Sequence, residues 1–372
     1  MALASGSGDS GQHGHGEIMQ FGSPRPGRGG LVPLLLAVLV AVTVLAVARH
    51  SGGPRLRPPP PAVAVTNVGH PILGIRAGWE LLGLDRNGVV TVRFDVGQIV
   101  RTIVPPLLSN GPVFFVAAQD EVIVRPLDNV PGYVVPDGKP AQQLTGLLAQ
   151  GGTLLPGPTL TEQWFGRRSL DLLGPGGKVV NAHLAAIAQT WAGFWVVADG
   201  AGGVMLVDMT SQGEEYDASP GMLRPVTAQL VAVGPKTWLG VNCQGDSCHD
   251  VVISAATGAS KVLAGPPVSV TPGPSTLGAV APDGSTAAVI VPGGGETSAL
   301  ELVSLVTGSL TRVAVAVSGS WSTQLAWSPD SRWLFVINSR GTLEAVDPRT
   351  GRAQAVGLGL SGLSQIVVRP GG

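Results

Sequence analysis

Gln324-Leu-Ala-Trp-Ser-Pro-Asp330, followed by Arg332-Trp-Leu-Phe-Val-Ile-Asn338, is the stretch from which the fold can be read. Two short apolar runs flank a Ser-Pro-Asp centre, which is the pattern of strand, tight turn, strand. Weaker copies lie upstream. Apolar strands headed by an aromatic or equivalent residue start at Trp79, Phe114, Trp164, Trp195, Trp238, Thr286 and Trp333. These seven starts are spaced by about 42 residues on average, the period of a four-stranded propeller blade. A second marker keeps the same period: strands ending in a polar Asp/Thr/Gly turn near Asp95, Asp208, Gly258, Gly308 and Gly351. Each such unit buries its apolar face only against its neighbours, so the repeat identifies an architecture before it identifies a ligand.

The expected fold is all-β: a β-propeller over residues 70–372, with seven four-stranded blades. Six or eight stay open, because the stretch from Phe114 to Trp164 is the least regular. A β-sandwich does not account for roughly 300 residues of short strands at one period. Helical repeats do not fit either. The chain holds 54 Gly and 31 Pro, and few stretches after residue 50 keep a 3.6-residue apolar period. Ala182–Trp191 fits either a short helix or an inner strand. Gln365-Ile-Val-Val-Arg-Pro370 matches the opening of the signature, Gln324–Pro329, yet only two glycines follow it. An inner strand without successors must join a sheet begun elsewhere, and the blade at Trp79 is its expected partner. Ile72–Ile75 competes for that inner position. Closing the ring removes unpaired strand edges.

The N-terminal region has a different character. Residues 1–30 contain nine Gly and four Ser and are expected to be a disordered tail. Leu31–Ala48 carries no charge over 18 residues and spans about 27 Å as a helix, which predicts a single-pass transmembrane anchor in contact with the bilayer. A cleaved signal peptide ending at Ala46-Val-Ala48 is the competing reading, but the apolar run is longer than such segments usually have. Residues 49–69 read as a linker, with Pro54–Pro61 favouring a polyproline II spacer.

Two signals bear on orientation. Arg25 and Arg28 before the segment, against Arg49, Arg55 and Arg57 after it, slightly favour a cytoplasmic C-terminus. Cys243 and Cys248, the only cysteines, suit a disulfide in an oxidising compartment. Long domains also translocate with little regard to flanking charge, so the propeller is expected outside the cytoplasmic membrane. The cysteines have two other readings, as free thiols or as metal ligands with His249 and Asp246 or Asp250. The metal set does not match the paired C-x2-C spacing of zinc sites.

Motifs for catalysis are missing from the sequence: G-x-S-x-G, H-E-x-x-H, the P-loop and the EF-hand loop do not occur. Beyond the linker the only histidines are His70, His183 and His249. Asp85, Asp137, Asp283, Asp330 and Asp347 all sit in turn contexts, where their side chains cap the backbone. Glu214-Glu-Tyr-Asp217 reads as a solvated loop and His13-Gly-His15 as part of the tail. No cofactor, metal or catalytic residue is expected. Nucleic acid is not expected as a partner, given a net charge of −1, four lysines in all, and a longest basic run of only Arg167-Arg168 in the globular part.

Leu325–Asn338, and less closely Leu277–Val291, resemble the WD40-like repeats of TolB-type propellers, with their W-S-P-D-G turn between the first two strands. Ser331 stands where that turn usually has glycine, and Ala281 where it has serine. The resemblance implies protein–protein interaction at the cell envelope without catalysis, through the loops at one end of the ring and its central channel. It carries over no ligand-binding residue. The expected function is thus a membrane-anchored, extracytoplasmic, non-catalytic binding or scaffolding module. The alternatives are a propeller enzyme acting on an extracellular polymer and a membrane-attached cytoplasmic scaffold.

Overall fold

The computed structural model describes residues 62–370 apart from 107–112, 128–130, 158, 167–169, 182–193, 199–203, 209–214, 218–223, 227, 245, 246, 269–277, 294–296 and 319–321. Strands β1 (Val63–Asn67), β2 (Trp79–Leu84), β3 (Gly88–Arg93) and β4 (Gln98–Ile103) come first. They are followed by a sheet of β5 (Val113–Ala117), β6 (Glu121–Pro126), β7 (Tyr133–Pro136) and β8 (Gln142–Gln143). β9 (Thr153–Pro156), β10 (Gln163–Gly166), β11 (Leu170–Leu173) and β12 (Val179–Asn181) form the next. β13 (Phe194–Ala198), β14 (Val204–Asp208), β15 (Glu215–Asp217) and β16 (Arg224–Val226) form another.

An eight-stranded sheet combines β17 (Gln229–Val233), β18 (Thr237–Gln244), β19 (Ser247–Ser254) and β20 (Ser260–Val262) with β21 (Gly278–Val280), β22 (Thr286–Val291), β23 (Ser298–Ser304) and β24 (Leu310–Val317). Its two halves meet through β17 and β21, the only parallel pair among the described strands, with Ala232 opposite Gly278. The last sheet holds β25 (Leu325–Trp327), β26 (Leu334–Ile337), β27 (Leu343–Asp347) and β28 (Arg352–Ala355). β29 (Gln365–Pro370) leaves that sheet and joins the first, whose order is β1-β4-β3-β2-β29.

The signature folds as strand, turn, strand for identifiable reasons. The Ser328 hydroxyl donates to Asp330 Oδ1 at 2.6 Å and accepts the Trp333 N–H at 2.9 Å, and the Asp330 carboxylate accepts the Arg332 N–H at 3.1 Å. Side chains thus satisfy backbone donors that a tight turn would otherwise leave unpaired. The Trp327 indole N–H reaches Ala279 O on β21 at 2.9 Å and ties neighbouring four-stranded groups together.

Apolar clusters lie between the sheets. Trp79 on β2, Phe94 after β3 and Phe335 on β26 have ring centroids 4.9–5.6 Å apart, within a cluster that joins the first sheet to the last. Leu82, Val89, Val122 and Val124 fill the next interface, between the first sheet and the second. Val116, Leu154, Phe165 and Leu173 fill the one after it. Alternation along β29 feeds two of these clusters: Ile366 packs toward β26 and Val367 toward β5 and β6. Four-stranded antiparallel sheets that bury both faces against their neighbours are the packing of propeller blades.

β29 closes onto β2 in six-residue antiparallel register, Trp79 opposite Pro370 and Leu84 opposite Gln365, as the match to Gln324–Pro329 predicts. Ile72–Gly74 forms a 3-10 turn, with Leu73 at φ 54°, so it does not take the inner position. The seven aromatic markers do not all fall on equivalent strands. Trp79, Trp164, Trp238 and Thr286 stand in the second strand of their groups and Trp333 just before one, whereas Phe114 and Trp195 stand in β5 and β13, which are first strands. Where side chains are described, first and second strands are both largely buried, as in β25 and β26, so apolar content does not tell them apart.

Val63–Asn67, inside the stretch 49–69 read as linker, pairs with β4 as a fifth, outermost strand. Its Val-Ala-Val-Thr core supplies β-propensity that the preceding prolines mask. No helix among the described residues is long and apolar enough to cross a membrane; Leu31–Ala48 and the tail lie outside the described residues, as does Ala182–Trp191.

Candidate functional site

Antiparallel strands place their connections at two ends. One end carries the turns between first and second strands and between third and fourth. Of the turn-borne aspartates all but Asp85 lie here, and three do the work expected of them: Asp283 accepts the Ser285 N–H, Asp330 that of Arg332 and Asp347 that of Arg349. Turns of adjacent groups are also linked. Thr237 Oγ1 donates to Gly284 O at 3.2 Å, and the Asp283 N–H donates to Ser331 Oγ at 3.0 Å. Ser331 holds this position at φ 59°, where glycine would be unstrained.

Asp137 does more than shape its turn. It meets Arg369, the last charged residue of β29, whose side chain is fully buried. The Arg369 guanidinium donates to Glu80 Oε2 through Nε and Nη2 (3.2 and 2.9 Å), to Asp137 Oδ2, and to the carbonyls of Ala118 and Glu121 (2.8 and 3.1 Å). Burial lowers the pKa of this arginine, but hydrogen bonds and charge from Asp137 and Glu80 outweigh burial and raise it. The Glu121 carboxyl is pushed upward by burial and then by Asp120 and Asp137. The carboxylates that converge at this end therefore surround a cation of the chain itself. Sequence reasoning missed the cluster; its one signal was an arginine directly after the apolar run Ile366–Val368.

The opposite end carries the second-to-third-strand connections and the longer links between sheets. Here a cavity of about 590 Å³ opens between the last, first and second sheets. Leu84, Val104, Val113, Val124 and Leu363 give it an apolar floor, and Pro105-Pro106 forms one wall. The single acidic lining residue among the described residues, Asp85, accepts the N–H groups of Asn87 and Gly88 at 2.7 and 2.9 Å and pairs with Arg101 at 3.3 Å. Arg101 also donates to Gly359 O at 3.0 Å, which fixes the loop before β29. Gly88 has φ 156°, and a Cβ there would lie 2.0 Å from Thr102 O, so the wall beside Asp85 requires glycine. Arg86 and Arg340 are exposed at the rim, and among the described residues their guanidinium groups have no partner. A smaller cavity, about 330 Å³, lies at the turn end near Arg76, Arg332 and Trp333.

Cys243 and Cys248 face each other across the β18–β19 hairpin and form a disulfide, so their sulfurs are not free to serve as metal ligands. His249 is exposed and contacts Ser247 Oγ at 3.3 Å. Asp250 turns inward instead, accepting the Val268 N–H at 3.0 and 3.2 Å, and burial raises its pKa. Asp246, Arg167, Arg168, His13 and His15 lie outside the described residues, as does Glu214, whereas Glu215–Asp217, read as loop, form β15 between β14 and β16. Among the described residues no group of three or more His, Cys, Asp and Glu side chains is placed to hold a metal ion. Arg125 on β6 was not singled out from sequence either. It is 1 % exposed, lies 5.3 and 5.5 Å from the ring centroids of Phe114 and Phe165, and donates to Gln150 O and Gly152 O. Burial pushes its pKa down to about 10.

No protein-family model and no curated protein sequence matches the chain. Solved structures similar to it include TolB from Acinetobacter baumannii, at 12% identity over 80% of this chain and 83% of that one, with a TM-score of 0.41. Apo AztD from Citrobacter koseri is similar at 13% identity over 79% and 98%, TM-score 0.40. A candidate 6-phosphogluconolactonase from Bacteroides uniformis is similar at 14% identity over 78% and 99%, TM-score 0.47.

Proposed function

We propose that this chain is a membrane-tethered, seven-bladed propeller that lies outside the cytoplasmic membrane and works as a non-catalytic protein-binding module. The observation that carries the binding role is the loop-end cavity. It has an apolar floor and unpartnered arginines, and its one carboxylate is already held by Arg101 and two backbone N–H groups. Such a lining suits recognition of a ligand better than proton transfer to one. The Cys243–Cys248 disulfide supports an oxidising compartment, and the uncharged run Leu31–Ala48 supports the tether. Seven blades follow if each half of the eight-stranded sheet is one blade and β29 completes the first.

Crosslinking of intact membranes followed by capture of the full chain tests the binding role. A partner recovered at defined stoichiometry is the expected result, and turnover of an extracellular polymer by the purified chain would replace this reading with the enzymatic one. Thiol labelling tests the compartment: Cys243 and Cys248 should label on intact cells only after reduction. Labelling after lysis without reductant would place the propeller on the cytoplasmic side.

A further inference from the structure

The loop-end cavity also carries information about what it binds, and the following rests on the binding-module reading. We infer that it receives a protein segment that combines aliphatic and carboxylate side chains. Asp85 and Arg101 neutralise one another and are fixed by backbone contacts, so they leave the rim with the uncompensated charge of Arg86 and Arg340. A guanidinium without a partner presents a planar fork of donors that fits a carboxylate through two parallel hydrogen bonds. Pro105 and Pro106 in the lining have no N–H to offer, and Ser339 and Ser364 carry no charge, so recognition of a charged group falls on the arginines.

The floor selects the rest of the ligand. Leu84, Val104 and Val124 are buried beneath the opening, and a small anion with no apolar body would leave that floor wetted. Among the described residues none of the lining is aromatic, so they offer no platform for stacking a nucleobase. The volume, about 590 Å³, falls in the range of sites that enclose a few side chains. Charge complementarity and an aliphatic floor together point to an acidic, Leu-rich or Val-rich segment of a partner protein.

Fluorescence anisotropy on the full chain in detergent tests this, with a labelled short peptide of alternating Leu and Glu and its counterpart with Gln in place of Glu. The Glu peptide should bind about tenfold tighter than the Gln peptide, with the difference shrinking as salt is added. R86Q/R340Q should erase the difference without moving the Tm, because both side chains are exposed. Equal binding of the two peptides, binding of neither, or an unchanged preference in R86Q/R340Q would overturn the inference. A membrane-crosslinked partner captured equally by wild type and R86Q/R340Q would also overturn it, yet leave the binding-module reading intact. Loss of that partner in the variant supports both.

Discussion

Replacing Arg369 with Met should destabilise the propeller by about 3–5 kcal/mol, the usual cost of leaving a buried charge without its partner. The structure sets where that cost arises. The Glu80 side chain is 9 % exposed and receives two of the guanidinium's hydrogen bonds, so it loses its main counter-charge with little access to water. Arg93 approaches Glu80 at 3.5 Å but is itself 38 % exposed, and it compensates only weakly. Asp137 is 41 % exposed and rehydrates, so its share of the loss is small. The carbonyls of Ala118 and Glu121 lose a donor each. Urea unfolding of the full chain in detergent, followed by tryptophan fluorescence, measures the loss, which corresponds to roughly 6 °C or more in Tm. The companion variant is R369M/E80L. If the cost comes from the stranded carboxylate, the double variant recovers part of the stability lost in R369M. A double variant as unstable as the sum of the two single ones, or an R369M with an unchanged midpoint, would refute the reasoning.

Three further outcomes are expected. S331A should lose about 1 kcal/mol with the Asp283–Ser331 hydrogen bond, whereas S331G loses the same bond but relieves the left-handed backbone; Gly should therefore exceed Ala by about 1 kcal/mol in urea melts. Glu121 has its pKa raised in the folded state above its ordinary value of 4.5, so its contribution is present below that value and is lost as pH rises through the folded pKa. E121Q should accordingly raise the Tm relative to wild type at about pH 7 and make no difference at about pH 3. C243A/C248A should cost about 2 kcal/mol, with hydrogen exchange accelerated in β18 and β19 and unchanged in β25–β28.

The blade period, the Pro-Asp turns and the terminal strand's return to Trp79 were legible in the sequence because each depends on local chemistry repeated at fixed spacing. What sequence did not show has a common cause. Phe114 and Trp195 do stand in apolar strands, but in the first of their groups and not the second, a distinction that strand composition does not carry. β1 was hidden because the prolines before it read as linker, while its pairing partner lies on β4, far along the chain. The loop-end cavity is assembled from Asp85–Gly88, Val104–Pro106, Ser339–Gly341 and Gly362–Ser364, segments that meet only once the ring is closed.

Arg369 is the instructive case. In the alignment of Gln365–Pro370 with Gln324–Pro329 it stands where Ser328 stands. Ser328 ties a continuous turn to the next strand. Between β29 and β2 no turn exists, since they are opposite ends of the domain, and a longer, charged side chain bridges what the backbone does not.

That closure also sets a schedule. Ser364 binds Leu84 O across 280 residues of sequence, so the first blade is made early and its innermost strand last. At about 5–20 residues per second, β2 waits roughly 15–55 s with its inner edge unpaired and Leu81 and Leu82 uncovered. Interruption of synthesis just before Gln365 leaves the other blades synthesised but this edge open. The nascent chain is therefore most exposed to aggregation and to quality control while this edge is open, and a variant lacking Gln365–Pro370 is expected to be cleared by proteases even though it loses a single strand.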